Sequence, residues 1–300
     1  MEGWKGLNMS GAKRETVSAK RVAVISCIHG NMEALEATLD DIAGQSVDQT
    51  IGLGDLVGYG PHPNEVVKTF IDRNIRSVQG CWDEGIALGN DSCGCQFLTD
   101  EDEALGGTAF RWTAEACSEE TKDYLKKMTH GMRMETPAGL VAFVHGSPRS
   151  NSEYLAESTH DLVLLERTAG AGCDVLVCGH THIPFVRRID GTIRVTAKAG
   201  IKDAYYRHHA PVEDSPSEII LSPKLVINAG SVGEPRHGTP ESTYIIFDTE
   251  TLDVEIRRVK YAVEKTVKAM RKKNLPESFM ERLLVGTEFV GKNKEIVCAC

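Results

Sequence analysis

Apolar positions along this 300-residue chain follow two spacings. Short apolar runs bounded by turn residues predict buried strands, and apolar residues three and four apart predict amphipathic helices. The first half alternates between them: a strand at Arg21–Ser26, a helix at Asn31–Ala43 (Met32, Leu35, Leu39 and Ile42 on one face), and a strand at Thr50–Leu53 ending in GDLVGYG. A helix at Asn64–Arg73 and a strand at Arg76–Val78 ending in QGCWDE follow. That alternation predicts parallel strands joined by crossover helices. A polar stretch, GNDSCGCQFLTDEDE, then leads into a helical region reaching about Met128.

Strands dominate the second half. Leu140–Val144 ends in HGSP and Asp174–Cys178 in GHTH, while Phe185–Ile189 and Thr192–Val195 predict a hairpin across DGT. Leu225–Ile227 ends in NAGSVGEPRHG, Tyr244–Phe247 and Val254–Val259 read as paired strands, and Val263–Lys272 and Glu277–Leu284 as helices. Residues 198–223 carry little pattern. The expected layout is a loose leader over 1–20, a single domain over 21–285 and a tail over 286–300.

The strand ends share one feature. Nearly every core strand runs into a glycine neighbour and a residue able to bind metal: His29, Asp55, Cys81, His145, His180 and His182. In open α/β sheets ligands bind at the carboxyl ends of strands. Cys27 and His29, two apart in an extended chain, would point the same way.

Composition narrows the partners. A net charge of -9 argues against an electrostatic grip on a nucleic-acid duplex or an anionic membrane. No apolar stretch reaches the roughly 20 residues of a membrane span. The polar amino end lacks the apolar core of a signal peptide. Nine cysteines without the spacing of a disulfide framework suit a reducing cytoplasm, where thiols serve as ligands, catalysts or core residues.

Taken together, CIHGN, GDLVGYG, GCWDE, VHGSP, CGHTH and NAGSVGEPR resemble the calcineurin-like metallophosphoesterases, closest to the small bacterial and archaeal phosphodiesterases that include diadenosine tetraphosphate hydrolases of that type. The resemblance implies an α/β (α+β) fold, a four-layer α/β/β/α sandwich of two mixed sheets with two metals at the strand ends. It places His29 and His182 on the first metal, Asp55 between both, and His145 and His180 on the second. It also implies hydrolysis of a phosphodiester or a small phosphorylated metabolite or nucleotide by a metal-bound hydroxide. By motif position Asn31 and Arg236 are candidates to contact phosphate, and His62 is a candidate proton donor.

This chain departs from the family at two ligand positions. Cys27 stands where the family has the aspartate of Asp-X-His, and Cys81 where it has the asparagine of Gly-Asn. Trp82 follows, at a position often held by the histidine that assists the leaving group. As thiolates, the two cysteines bring one more negative charge than the family pair and favour iron or zinc, with manganese also admitted, over magnesium. Two other readings of Cys27 and Cys81 stand beside ligation: inert buried thiols, or a reversible disulfide between them. The alternative function is accordingly a weak or inactive metal-binding relative, sensitive to oxidation. Cys93 and Cys95 with Cys298 and Cys300 could form a four-thiolate zinc site, but their Cys-X-Cys spacing favours a solvated loop and a frayed tail. A homo-oligomer stays open.

Overall fold

A computed structural model describes residues 14–16, 19–96, 99–195 and 217–287. In chain order the elements are β1 (Arg14–Thr16), β2 (Arg21–Ile25), α1 (Met32–Ala43), β3 (Gln49–Gly52), α2 (Pro63–Asp72), β4 (Arg76–Ser77) and α3 (Cys81–Leu88). Next come α4 (Asp100–Ala116), α5 (Glu119–Lys126), β5 (Gly131–Thr136), β6 (Gly139–Val144), α6 (Asp161–Ala171) and β7 (Val175–Cys178). The chain continues through β8 (Phe185–Val195), β9 (Ser217–Asn228), β10 (Ser242–Asp248), β11 (Val254–Val259), α7 (Val263–Lys272) and α8 (Glu277–Val285).

The strands form two mixed sheets, ordered β1-β5-β6-β7-β9-β8 and β11-β10-β2-β3-β4. In the first, β6, β7 and β9 run parallel; in the second, β2, β3 and β4 do. The sheets pack face to face, and alternation along each strand says why. Val22 and Val24 of β2, Ile245 and Phe247 of β10, Val141 and Phe143 of β6, and Val175 and Val177 of β7 fill the space between the sheets. The intervening Ala23, Ile25, Tyr244 and Ile246 face the helices covering the second sheet. Ala142, Val144, Leu176 and Cys178 instead face the layer containing Leu164 of α6. Burial on both faces makes these strands near-continuous apolar runs. The result is the four-layer α/β/β/α sandwich.

Three sequence expectations need correction. Phe185–Val195 is one strand, paired antiparallel along β9 with a register shift between Ile189 and Gly191, and not a hairpin closed across DGT. A bulge there lets the strand bend without ending. The last seven residues of the 198–223 stretch belong to β9, while residues 196–216 lie outside the described residues. Within the expected leader, Arg14–Thr16 is a strand pairing parallel with β5. No described helix is long and apolar enough to cross a membrane.

Candidate metal centre

Backbone bonds between strand-end loops assemble the site. The loops after β2 and β3 zip together: Cys27 N–H donates to Gly54 O (3.0 Å), His29 N–H to Asp55 O (2.9 Å) and Gly30 N–H to Leu56 O (2.9 Å). The loop after β9 joins them, with Gly233 N–H donating to Cys27 O (3.0 Å) and Ser231 Oγ to the same carbonyl (2.9 Å). Asn228 Nδ2 holds Gly179 O at 2.7 Å, which ties NAGS to GHTH. These turns are tight. Cys27, His29, Asp55, His180 and His182 all have φ between 48° and 65°, the left-handed region that side chains other than glycine's rarely adopt. Such strain concentrates where a site requires one geometry.

It also corrects the local reasoning about Cys27 and His29. β2 ends at Ile25, so the pair does not lie on an extended strand. The two side chains converge because both residues turn left-handed.

Two groups of buried donors result. Cys27, His29 and His182 form one; Asp55, Cys81, His145 and His180 form the other, and within each the donor atoms lie within 4.8 Å of one another. All seven residues expected as ligands are therefore in the two groups. In the second group, His145 Nε2 and His180 Nδ1 are 3.1 Å apart, and Cys81 Sγ lies 3.7 and 3.6 Å from them. Around one tetrahedral zinc, with bonds of about 2.0–2.1 Å to nitrogen and about 2.3 Å to sulfur, such pairs are roughly 3.3 and 3.6 Å apart. The donor set fits a thiophilic first-row ion. Asp55 Oδ2 is 3.2 Å from His145 Nε2 and 3.6 Å from His29 Nε2, so one carboxylate reaches both groups. His29 Nε2 and His182 Nε2 are 3.1 Å apart.

The surroundings fix each donor. Nδ1 of His29, His145 and His182 lies against the carbonyls of Val57 (3.1 Å), Leu53 (2.7 Å) and Glu234 (2.6 Å). Each therefore carries a proton on Nδ1 and directs Nε2 into the site. Burial keeps His29, His180 and His182 neutral; for His180 burial and neighbouring His145 bring the pKa down to about 3. Burial works against an ionised Asp55, yet His145, by its charge and its hydrogen bond, holds the carboxyl below the usual range. Burial, and then Asp55, push the Cys27 thiol up. Burial likewise raises Cys81. Without a cation these thiols stay protonated, and ligation requires a metal to displace the proton.

Cys81 opens α3, whose first amides point back at the site. Trp82 N–H donates to Asp55 Oδ1 at 2.9 Å. Asp83 is a residue the sequence reading missed. Its Oδ1 accepts from Leu56 N–H (2.9 Å) and Val57 N–H (3.3 Å), its Oδ2 from Gly80 N–H (2.9 Å). Burial, then the charge of Asp55, raise it to about 7. A carboxylate three residues after the glycine that caps a helix is a capping-box signal, and that spacing was its mark in the sequence. Tyr154, whose ring lies 4.1 Å from that of His180, had no such mark; only the tertiary fold brings the two together.

The three remaining candidates separate. Arg236 is half-buried beside the first group, with Nη2 on Glu234 Oε2 at 2.8 Å and its backbone N–H toward His182 O. Asn31 caps α1 and its side chain is fully committed. Its Oδ1 accepts from Ala34 N–H and Thr266 Oγ1, and its Nδ2 donates to Gly233 O and Tyr261 Oη. That leaves nothing for phosphate, so Asn31 is corrected to a scaffold residue. His62 precedes α2 and its Nδ1 faces Glu65 at 3.6 Å, outside both donor groups. The loop thiols differ from expectation as well: Cys93 and Cys95 are half-buried, and Cys95 Sγ is 3.4 Å from Cys81 Sγ. Cys298 and Cys300 lie outside the described residues.

A family model for the calcineurin-like phosphoesterase superfamily domain matches residues 21–252. An uncharacterised protein of Methanocaldococcus jannaschii is 34% identical over 267 residues, covering 88% of this chain and 98% of that protein. A solved metallophosphoesterase from Sphaerobacter thermophilus is 29% identical, with a TM-score of 0.64 over 90% of this chain and 100% of that one. A hypothetical protein from Pyrococcus horikoshii shares the fold at 20% identity, with a TM-score of 0.68 over 90% of this chain and 99% of that one. Motifs, sandwich and donor groups agree with that match, and the chain belongs to the calcineurin-like phosphoesterase superfamily, as a metal-dependent hydrolase of phosphoric esters.

Proposed function

We propose that this chain hydrolyses phosphodiesters or small phosphorylated metabolites at a dinuclear centre of iron or zinc. Cys27, His29 and His182 hold one ion, Cys81, His145 and His180 the other, and Asp55 spans the two. The observation that carries this reading is Asp55 Oδ2 lying within 3.6 Å of a histidine nitrogen from each group. When bound, a pair of ions supplies an acidified water as nucleophile and neutralises charge on the phosphoryl oxygens.

The chain's own side chains set the remaining chemistry. Arg236, oriented by Glu234, places a guanidinium beside the first group, where it binds a non-bridging phosphate oxygen. Trp82 cannot donate a proton to a leaving group; its indole stacks on Tyr59 (4.4 Å) and Phe110 (5.4 Å) as a wall beside His29. With His62 paired to Glu65, the leaving group takes its proton from solvent. That favours substrates whose leaving oxygen is already a stable anion, such as phosphoanhydrides and aryl esters.

The test is metal content and turnover on anaerobically purified protein. Two ions per chain are expected, with hydrolysis of bis(p-nitrophenyl) phosphate at least about tenfold faster than of a dialkyl phosphate. His182→Ala and His145→Ala should each remove one ion. Full metal occupancy without turnover of either ester would overturn the reading.

A further inference from the structure

The loop following α3 lays a second thiol on Cys81. Cys81 Sγ and Cys95 Sγ are 3.4 Å apart, van der Waals contact for two unbonded sulfurs, and both cysteines are free. A disulfide requires about 2.05 Å, so a bridge would draw the two sulfurs together by about 1.4 Å. The loop is built for this approach. Gly94 turns at φ 73°, Cys95 N–H donates to Cys93 Sγ at 3.4 Å, and the Cys93 thiol also reaches Cys81, so that three thiols meet in this turn and Cys93 is the competing partner. Burial divides the roles. Cys81 is 2% exposed, whereas Cys95 is only half-buried, between exposed Gly94 and Gln96. Cys95 is also not a member of the four-donor group that contains Cys81. It touches one donor without belonging to the set.

We propose that Cys81 and Cys95 are an oxidation site for hydroperoxides, forming a reversible disulfide that withdraws Cys81 from the second donor group. The Cys95 sulfur, the more accessible one, attacks an oxygen of the hydroperoxide. The O–O bond breaks, the alcohol leaves with the thiol's proton, and Cys95 becomes a sulfenic acid. The Cys81 sulfur then attacks the Cys95 sulfur. The S–S bond forms, the S–O bond breaks, and hydroxide departs with the Cys81 proton as water. Two thiols and one hydroperoxide thus give one disulfide, one alcohol and one water, with two electrons passing from sulfur to the peroxide bond. A disulfide sulfur is no longer the anionic donor that a thiolate is, so the second group keeps only Asp55 and two histidines. The consequence for the metal rests on the proposed dinuclear reading; the bridge itself does not. Linkage makes the effect reciprocal: if the bridge weakens metal binding, bound metal opposes the bridge.

The test uses the full chain, reduced and metal-free or zinc-loaded, treated with hydrogen peroxide, alkylated and peptide-mapped. The expected products are a Cys81–Cys95 bridge that a dithiol reverses, and a bridge at least about tenfold slower to form in the zinc-loaded chain. The oxidised chain should retain one zinc rather than two, with affinity at the second position down about 100-fold or more. Cys95→Ser should keep both zincs and its turnover through the same treatment. A map showing Cys81 unbridged, or bridged to another thiol, overturns the proposal, as does a bridged chain that still holds two zincs. A chain that takes up no zinc in either state instead overturns the dinuclear reading, while the peptide map still decides the thiol pair.

Discussion

Asp83 shows how much one acidic position in GCWDE controls. Its carboxylate gathers Leu56, Val57 and Gly80 amides from two strand-end loops, and so sets where Asp55 sits. Asp83→Asn keeps the size but places an amide N–H against the Gly80 N–H. Metal affinity should fall about 10–100-fold with the fold retained, as for other residues that orient a ligand, and metal titration checks this. Unchanged affinity would reduce Asp83 to a packing role. Gly54 is the complementary case. At φ 86°, a Cβ there would lie 2.3 Å from Gly80 N, in a conformation already unfavourable for alanine. Gly54→Ala should lose more than about 1 kcal/mol in denaturant unfolding.

Between elements, one polar tie joins α1 to the second sheet. Asp41 on α1 accepts from Tyr244 Oη of β10 (2.6 Å) and from Arg257 Nη2 of β11 (2.9 and 3.1 Å). Partial burial opposes the ionised Asp41, but the Arg257 and Tyr244 hydrogen bonds outweigh it and hold the pKa below the usual aspartate value. The folded pKa is depressed, so the tie is fully present above the unfolded value of about 3.9 and is lost as pH falls through the folded one. Asp41→Asn should therefore cost on the order of 1 kcal/mol at pH 7, with the gap to the unsubstituted chain closing below about pH 4. Unfolding curves at both pH values check it; a gap independent of pH would mean that packing rather than charge is lost. Elements with strong local signals stand where the sequence put them. Thr99, opening TDEDE, caps α4 at Asp102 N–H (3.1 Å), and β11 and α7 span Val254–Val259 and Val263–Lys272 as read. β5 and α6 carried no comparable signal. β5 has only Gly131 and Met134 buried, and the apolar Leu162 and Val163 of α6 face outward, which blurs the period.

At the scale of the whole molecule, the donor groups are contributed by loops of both sheets, so metal should hold the sandwich together. A ligand that binds only the folded chain stabilises it by about 2.7 kcal/mol at a hundred times its Kd. Chelation should then lower the melting temperature by about 5 °C or more, read by calorimetry. An unchanged transition would show that the sites form without load. The sequence by itself determined the strand–helix order and the residue types at strand ends, because period and turn chemistry are local. That is why all seven donors were legible as candidates, and why the polar Asn31 was misjudged: position in a motif does not say which partners a side chain has. Only the tertiary structure decided which donors share a group. It folded Cys27 and His29 together through left-handed turns, seated Asp55 between the groups, stacked Tyr154 on His180 and set Cys95 on Cys81. Those pairings depend on loops from distant parts of the chain meeting at one rim, and no local period encodes such a meeting.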